Sequence, residues 1–222
     1  MGDAVTGDDA RRIRPGNRKD FGVAAGLLAA SMADDPATRW LHPKESTRRT
    51  RLTRAFRTSL DDSRDCSDGV DLALDGTGSI VGVAVWLATF HVLPRATMGR
   101  QLKALHTYGS QAARARTGAR ATYAAGVQEQ HWHLLAVGVA AAARGRGHGR
   151  DLVAAGMYRA AADGVPVHLE TTNPSNLSFY ERLGFETTGV IDLPGGGPRR
   201  WLMRQVPQPI PNHPRGRRPR DT

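Results

Sequence analysis

Residues 144–150, Arg144-Gly145-Arg146-Gly147-His148-Gly149-Arg150, decide how the rest of the chain is organised. Three glycines at alternate positions let the backbone curl with its N–H groups turned inward. Ahead of them residues 132–140 (WHLLAVGVA) form a short apolar run that predicts a buried strand. Behind them residues 150–162 carry Leu152, Val153, Gly156, Met157 and Ala160 on one helical face, with Gly164 as the stop. A glycine loop between a strand and a helix gathers unpaired N–H donors and the positive end of the helix dipole, which suits a phosphate or pyrophosphate. Arg144, Arg146 and Arg150 add positive charge to the loop.

Spacing narrows the ligand. No lysine stands in the loop, so it is not the loop of a nucleoside triphosphate hydrolase. A dinucleotide fingerprint would need glycine where Arg150 stands, and would sit on the first strand of a parallel sheet.

Outward from the loop, residues 165–170 predict a second strand, which closes a βαβ unit. Toward the N-terminus, Asp20 is the expected cap of a helix over 21–32, with Phe21, Ala24, Leu28 and Met32 on one face. Ser46 is the expected cap of a second helix, marked by Leu52, Phe56 and Leu60. Residues 70–74 and 80–87 flank Asp75-Gly76-Thr77-Gly78 as a hairpin. Residues 91–130 are Ala/Arg-rich but punctuated by Pro94, Gly99, Gly109, Gly118 and Gly126, which predicts broken helices. Beyond the βαβ unit, residues 175–183 form a short helix closed by Gly184, and two strands run to 206 around Leu193-Pro194-Gly195-Gly196-Gly197-Pro198. The expected fold is α/β: a mixed, mainly antiparallel twisted sheet of six to seven strands flanked by helices. It forms a single domain over 10–206, with a disordered N-terminus (1–9) and a disordered Pro/Arg-rich tail (207–222).

Composition bounds the alternatives. Of 222 residues 40% are hydrophobic, and the formal charge is +10, from 31 Lys+Arg against 21 Asp+Glu. Acidic residues at 1–10 offset the arginines of the tail, so the basic charge belongs to the folded part and favours anionic ligands. Cys66 is the single cysteine, which leaves no intrachain disulfide and no cysteine-based zinc cluster. The longest nearly apolar run, 21–33, is too short to cross about 30 Å of hydrocarbon. No signal-peptide pattern opens the chain, so a cytoplasmic protein without membrane contact is expected.

Arg144, Gly147 and Gly149 together resemble the acetyl-CoA signature of the GNAT superfamily of N-acetyltransferases. Leu169-Glu170-Thr171-Thr172-Asn173-Pro174-Ser175-Asn176, then Phe179-Tyr180-Glu181-Arg182-Leu183-Gly184-Phe185, are similar to the branch formed by puromycin N-acetyltransferase and its actinobacterial relatives. The resemblance implies a splayed central strand pair, with Val137, Gly138 and Val139 pairing to pantetheine and Gly138 as the bulge. It implies that residues Gly145, Arg146, Gly147, His148, Gly149 and Arg150 hold the pyrophosphate of acetyl-CoA. Asn176 is then either a hydrogen-bond partner of the pantetheine arm or a helix cap. His148 replaces a usually apolar residue, and its role is open between a ligand contact and a solvent-exposed loop position.

Acetyl transfer needs an amine freed of its proton, a polarised carbonyl and a proton or hydrogen bond for the departing thiolate. Tyr180 is the candidate acid, since a phenol of pKa about 10 can serve a thiolate of pKa about 8.5. The N–H groups of Val137 to Val139 are candidate oxyanion donors. The base is open among Glu170, His131, His133 and water, and no metal is required. The expected reaction moves an acetyl group to a primary amine of a small molecule, such as an antibiotic or related metabolite, in a ternary complex. A protein N-terminus or lysine is the alternative acceptor. For a cationic acceptor, Asp34, Asp35, Asp61 and Asp62 are candidate counter-charges. A monomer or homodimer is expected. A basic nucleic-acid-binding module would also account for the charge, but no helix-turn-helix, zinc finger or aromatic stripe is visible, and aromatics are only 6%.

Overall fold

The computed structural model describes residues 12–62, 69–88, 111–125 and 129–207; the expected disordered ends lie outside them, save Pro207. Seven strands form one sheet: β1 (Arg12–Pro15), β2 (Val70–Leu74), β3 (Ile80–Ala88), β4 (Trp132–Val139), β5 (Val167–Thr171), β6 (Glu186–Asp192) and β7 (Arg199–Gln205). Their order is β1-β2-β3-β4-β5-β7-β6, and β4 with β5 is the parallel pair in an otherwise antiparallel sheet. The helices are α1 (Phe21–Ser31), α2 (Pro36–Leu41), α3 (Glu45–Asp62), α4 (Ala112–Ala125), α5 (His148–Asp163) and α6 (Leu177–Glu181). α5 is the crossover of the βαβ unit, and Gly164 ends it at φ 72°.

Each face of the sheet carries its own core. On one face, Leu152, Val153 and Ala160 of α5 pack with Trp86, Trp132, Val167, Leu169 and Met203. On the other, Phe21, Ala24 and Leu28 of α1 meet Leu60 of α3 with Leu72, Val83, Val85 and Ala136.

Several expectations are corrected in detail. Asp20 does not cap α1 with its side chain. Its carboxylate accepts two hydrogen bonds from Arg14, each 2.8 Å, and one from Asn17 N–H at 2.9 Å. Ser46 lies inside α3, which starts one residue earlier. Asp34-Asp35-Pro36 not only ends α1 but starts α2, with the Asp35 carboxylate accepting from Ala37 N–H at 2.9 Å. Within the 91–130 stretch, residues 91–110 and 126–128 lie outside the description, but α4 runs through Gly118 unbroken. A Cβ there would stand 3.3 Å from the Trp40 ring, so Gly118 makes room for Trp40.

The bulge in β4 is at Leu135, not Gly138. Val85 pairs with Ala136 and Trp86 with Leu134, which leaves Leu135 as the extra residue. The insertion sends Leu134 and Ala136 to opposite faces, where strict alternation would put them on one. Gly138 pairs in register with Val83. Glycine is needed there for α1, because a Cβ would strike Ser31 Oγ and come within 3.2 Å of Leu28 Cδ2.

Among the described residues, β4 pairs with β5 only from Trp132↔Val167 to Leu134↔Leu169. Beyond that point the two parallel strands part, and the β5-facing edge of β4 opens into a wedge.

Candidate active site

Two clefts meet in this wedge. The first, about 730 Å³, has Val137, Gly138 and Val139 along one wall. Opposite them stand Arg144, Gly145, Gly147, His148, Gly149 and Arg150. The second, about 840 Å³, lies between the end of α1, α2 and β5. Val137, Gly138, Val139, Arg144, Asn176 and Tyr180 line both.

The glycine loop is shaped as the residue pattern anticipates, with unequal demands on its glycines. Gly145 and Gly147 sit at φ 77° and 89°, where a side chain is strained, whereas Gly149 does not have a positive φ. Gly147 is the N-cap residue of α5, and the first helical bond runs from Asp151 N–H to its carbonyl at 3.0 Å. The N–H groups of His148, Gly149 and Arg150 therefore have no acceptor inside the helix. Arg144 Nε donates to Val139 O at 3.3 Å and so ties the loop to the strand edge. Arg146 is exposed and does not line the cleft. His148 is not a solvent-exposed loop residue: it is 97% buried by its 3% exposure, and its Nδ1 has no hydrogen-bond partner.

These features fit the acetyl donor. The helix-start N–H groups with Arg144 and Arg150 suit a pyrophosphate, and the open backbone edge of Val137–Val139 suits an amide-bearing arm.

Asn176 makes no capping bond; Asn173 takes that work, its side chain accepting from Ser175 N–H at 3.1 Å. Asn176 Nδ2 instead donates to Thr171 Oγ1 at 3.3 Å, which holds the amide at the junction of the clefts.

Tyr180 is packed edge-on against Phe179 and Phe185, with ring centroids 5.1 and 5.8 Å away. Burial, and then the negative charge of Asp35, hold its phenol well above the ordinary tyrosine range. Phe179 packs on the core and also lines the first cleft, a second role that residue type alone did not reveal.

Glu170 lines the second cleft, and its Oε2 lies 3.1 Å from His133 Nε2. Burial pushes the Glu170 carboxyl upward, but the His133 hydrogen bond and the nearby His133, Arg200 and His168 outweigh it and bring the group below the usual range. His133 does not line the cleft. His131 is farther back, its ring 4.6 Å from that of His168 and its Nδ1 2.7 Å from Glu129 O.

Of the acidic residues considered for a cationic acceptor, Asp34 and Asp35 line the second cleft. Asp35 is already engaged, since Thr172 Oγ1 donates to it at 2.7 Å. Asp61 pairs with Arg57 at 3.1 Å on α3, away from the cleft. The Asp62 side chain lies outside the described residues. Sequence reasoning missed Arg200, Thr38 and Thr172, which face the second cleft from β7, α2 and the end of β5. Their joint placement depends on strand register and on α2, neither of which leaves a local motif.

A family profile described as an acetyltransferase (GNAT) domain matches residues 110–187. Among solved structures, the chain is similar to a protein of Corynebacterium glutamicum described as histone acetyltransferase HPA2 and related acetyltransferase. The identity is 24%, with 91% of this chain and 99% of that one covered at a TM-score of 0.63. Arylalkylamine N-acetyltransferase 2 of Aedes aegypti matches at 15% identity, 90% and 100% coverage and a TM-score of 0.58. A phosphinothricin acetyltransferase of Sinorhizobium meliloti, solved with acetyl-CoA, matches at 17% identity, 88% coverage of each chain and a TM-score of 0.55. Residues 110–187 thus match an acetyltransferase (GNAT) domain profile, and the fold is shared over about nine-tenths of the chain with solved acetyltransferases.

Proposed function

We propose that the protein transfers an acetyl group from acetyl-CoA directly to the primary amine of a small molecule, within a ternary complex. The observation that carries this reading is the meeting of the two clefts along Val137–Val139 and Tyr180. A donor in one and an amine in the other would face each other there without a covalent enzyme intermediate.

Acetyl-CoA supplies the thioester that is cleaved. In this reading the N–H groups of the Val137–Val139 edge stabilise negative charge on the carbonyl oxygen. Glu170, ionised at neutral pH and oriented by His133, receives the amine proton directly or through one water. Tyr180 holds its own proton tightly, so it serves the departing sulfur as a hydrogen-bond donor rather than surrendering the proton outright. These assignments leave His131 outside the reaction, and give His133 a positioning role.

A small acceptor is favoured by the size of the second cleft, about 840 Å³, which is that of a small-molecule site. Trp40 Nε1 donates to Gly195 O at 3.4 Å, and Arg114 Nη1 donates to Trp40 O at 2.9 Å. These contacts tie α2, α4 and the β6–β7 turn to one another. An antibiotic or related amine metabolite, as in the puromycin N-acetyltransferase branch, is the finer form of this reading.

The test is a panel of primary amines with acetyl-CoA and detection of free thiol, beside thermal stabilisation by acetyl-CoA, NADH, ATP and duplex DNA. Stabilisation by acetyl-CoA and acetylation of a small amine are expected. Acetylation of peptides alone would move the acceptor to the protein class, and stabilisation by DNA alone would reject the enzyme reading.

A further inference from the structure

The acceptor cleft holds a cation that amine chemistry does not require. Arg200 stands on β7, two residues from Leu202, which pairs with Glu170 across the β5–β7 ladder. Arg200 and Glu170 are therefore diagonal neighbours on one face of the sheet, within mutual reach of two long side chains. Both line the second cleft. Among the described residues, Arg200 makes no ion pair within 4.0 Å, and its one hydrogen bond runs from Nη1 to Thr122 Oγ1 on α4. That bond engages one nitrogen of the guanidinium and, among the described residues, leaves most of its planar fork of five donors unused. The same cleft has an apolar side, made by Met32, Leu41 and the bulge residue Leu135, which is 43% exposed.

We infer that the acceptor is an amino carboxylate with an apolar side chain: its amine faces Glu170, its carboxylate takes the open edge of Arg200, and its apolar part lies on Met32, Leu41 and Leu135. This deepens the acetyl-transfer reading and rests on it. A zwitterion brings one charge of each sign to a cleft that presents Asp34, Asp35 and Glu170 on one hand and Arg200 on the other. A carboxylate on a guanidinium fork is a charge-assisted, geometrically selective contact. A simple amine satisfies Glu170 alone.

The test compares matched acceptors that differ by the carboxylate: leucine with isoamylamine, and phenylalanine with 2-phenylethylamine. Each is assayed with acetyl-CoA and the full chain by free-thiol release. The amino acid is expected to exceed its amine in kcat/KM by about 10- to 100-fold, the range for one hydrogen-bonded charged contact. Because amino acids and amines differ in basicity, the decisive figure is the ratio's change in Arg200→Gln, where it should collapse toward that set by basicity, mainly through the KM of the amino acid. Arg200→Lys, which keeps the charge but loses the fork, should fall between. A second readout is independent of turnover: calorimetric titration of N-acetylleucine and N-isoamylacetamide into the CoA-loaded protein, where N-acetylleucine should bind about 10-fold or more tightly. Preference for the plain amine, or an Arg200→Gln loss equal for both acceptors, would overturn the inference and leave Arg200 only a charged neighbour of Glu170. If no amine is acetylated by a protein that acetyl-CoA stabilises, the acetyl-transfer reading fails instead, and the titration still judges the carboxylate preference.

Discussion

His133 Nε2 lies 3.1 Å from Glu170 Oε2, across the last part of the ladder before β4 and β5 separate. His133 pairs in register with His168, so Glu170, two residues on, projects from the same face just past the final paired residue. The paired part of the sheet thereby holds a carboxylate at the lip of the wedge. Removing the carboxylate charge with Glu170→Gln should lower kcat by about 10²-fold or more, with acetyl-CoA affinity little changed. Steady-state kinetics and cofactor titration check this. An undiminished kcat would remove Glu170 from the base role.

His133→Asn tests positioning. Without the hydrogen bond that opposes burial, the Glu170 carboxyl should titrate at higher pH, so the acidic limb of kcat moves upward. A merely structural role for His133 would lower activity at all pH values without moving that limb.

Tyr180→Phe keeps the edge-on packing on Phe179 and Phe185 and deletes only the hydroxyl. The expected result is a kcat lower by about 10- to 100-fold, consistent with loss of one hydrogen bond to a charged group, and nearly unchanged acetyl-CoA binding. A variant with full kcat would leave the hydroxyl without a part in catalysis.

The loop glycines should separate by backbone rather than by space. A Cβ at Gly145 meets nothing within 4 Å, yet φ is 77°, and at Gly147 it is 89°. Alanine at either position is expected to cost about 1–2 kcal/mol and to weaken the response to acetyl-CoA. Gly149→Ala would place its Cβ 3.6 Å from Val139 Cγ2 and 3.7 Å from Phe179 Cζ, ordinary contacts, so stability should hold. Tm with and without acetyl-CoA distinguishes the three.

The glycine loop, α5 and the βαβ connection were legible because their signals are local: glycine spacing, helical periodicity and a closing Gly164. Residues 132–140 show where legibility ends. The run identifies a strand, but the bulge at Leu135 is created by the partner strand, which pairs Val85 and Trp86 with residues two apart. Gly138 looked like the bulge, yet what it serves is the approach of Ser31, 107 positions earlier by number. Arg200 and Glu170 likewise share a cleft only through ladder register. A direct check is Gly138→Ala, which should destabilise by about 1–3 kcal/mol through overpacking. Combining it with Ser31→Gly, which removes the Ser31 atoms that a new Cβ would meet and leaves Leu28 Cδ2 3.2 Å away, should recover much of that loss in urea unfolding.

Stability should also fall on mild acidification. Burial lowers the pKa of His42, His131 and His168 below the ordinary histidine value of 6.5 that they regain on unfolding. Below about pH 6.5 the unfolded chain therefore binds more protons than the folded one, and each extra proton removes up to about 1.4 kcal/mol of stability per pH unit. The loss continues until the folded histidines titrate. Asp20, Glu129 and Glu170 have lowered folded values, so their contribution is lost only as pH falls below 3.8 for the aspartate and 4.5 for the glutamates. The interval from pH 6.5 to 4.5 thus belongs to the histidines. Urea midpoints should decline across it, and His168→Gln, which removes one of these titrations while keeping a donor toward Glu129, should flatten the decline. A midpoint constant over that interval would show that these side chains charge in place, without cost to the fold.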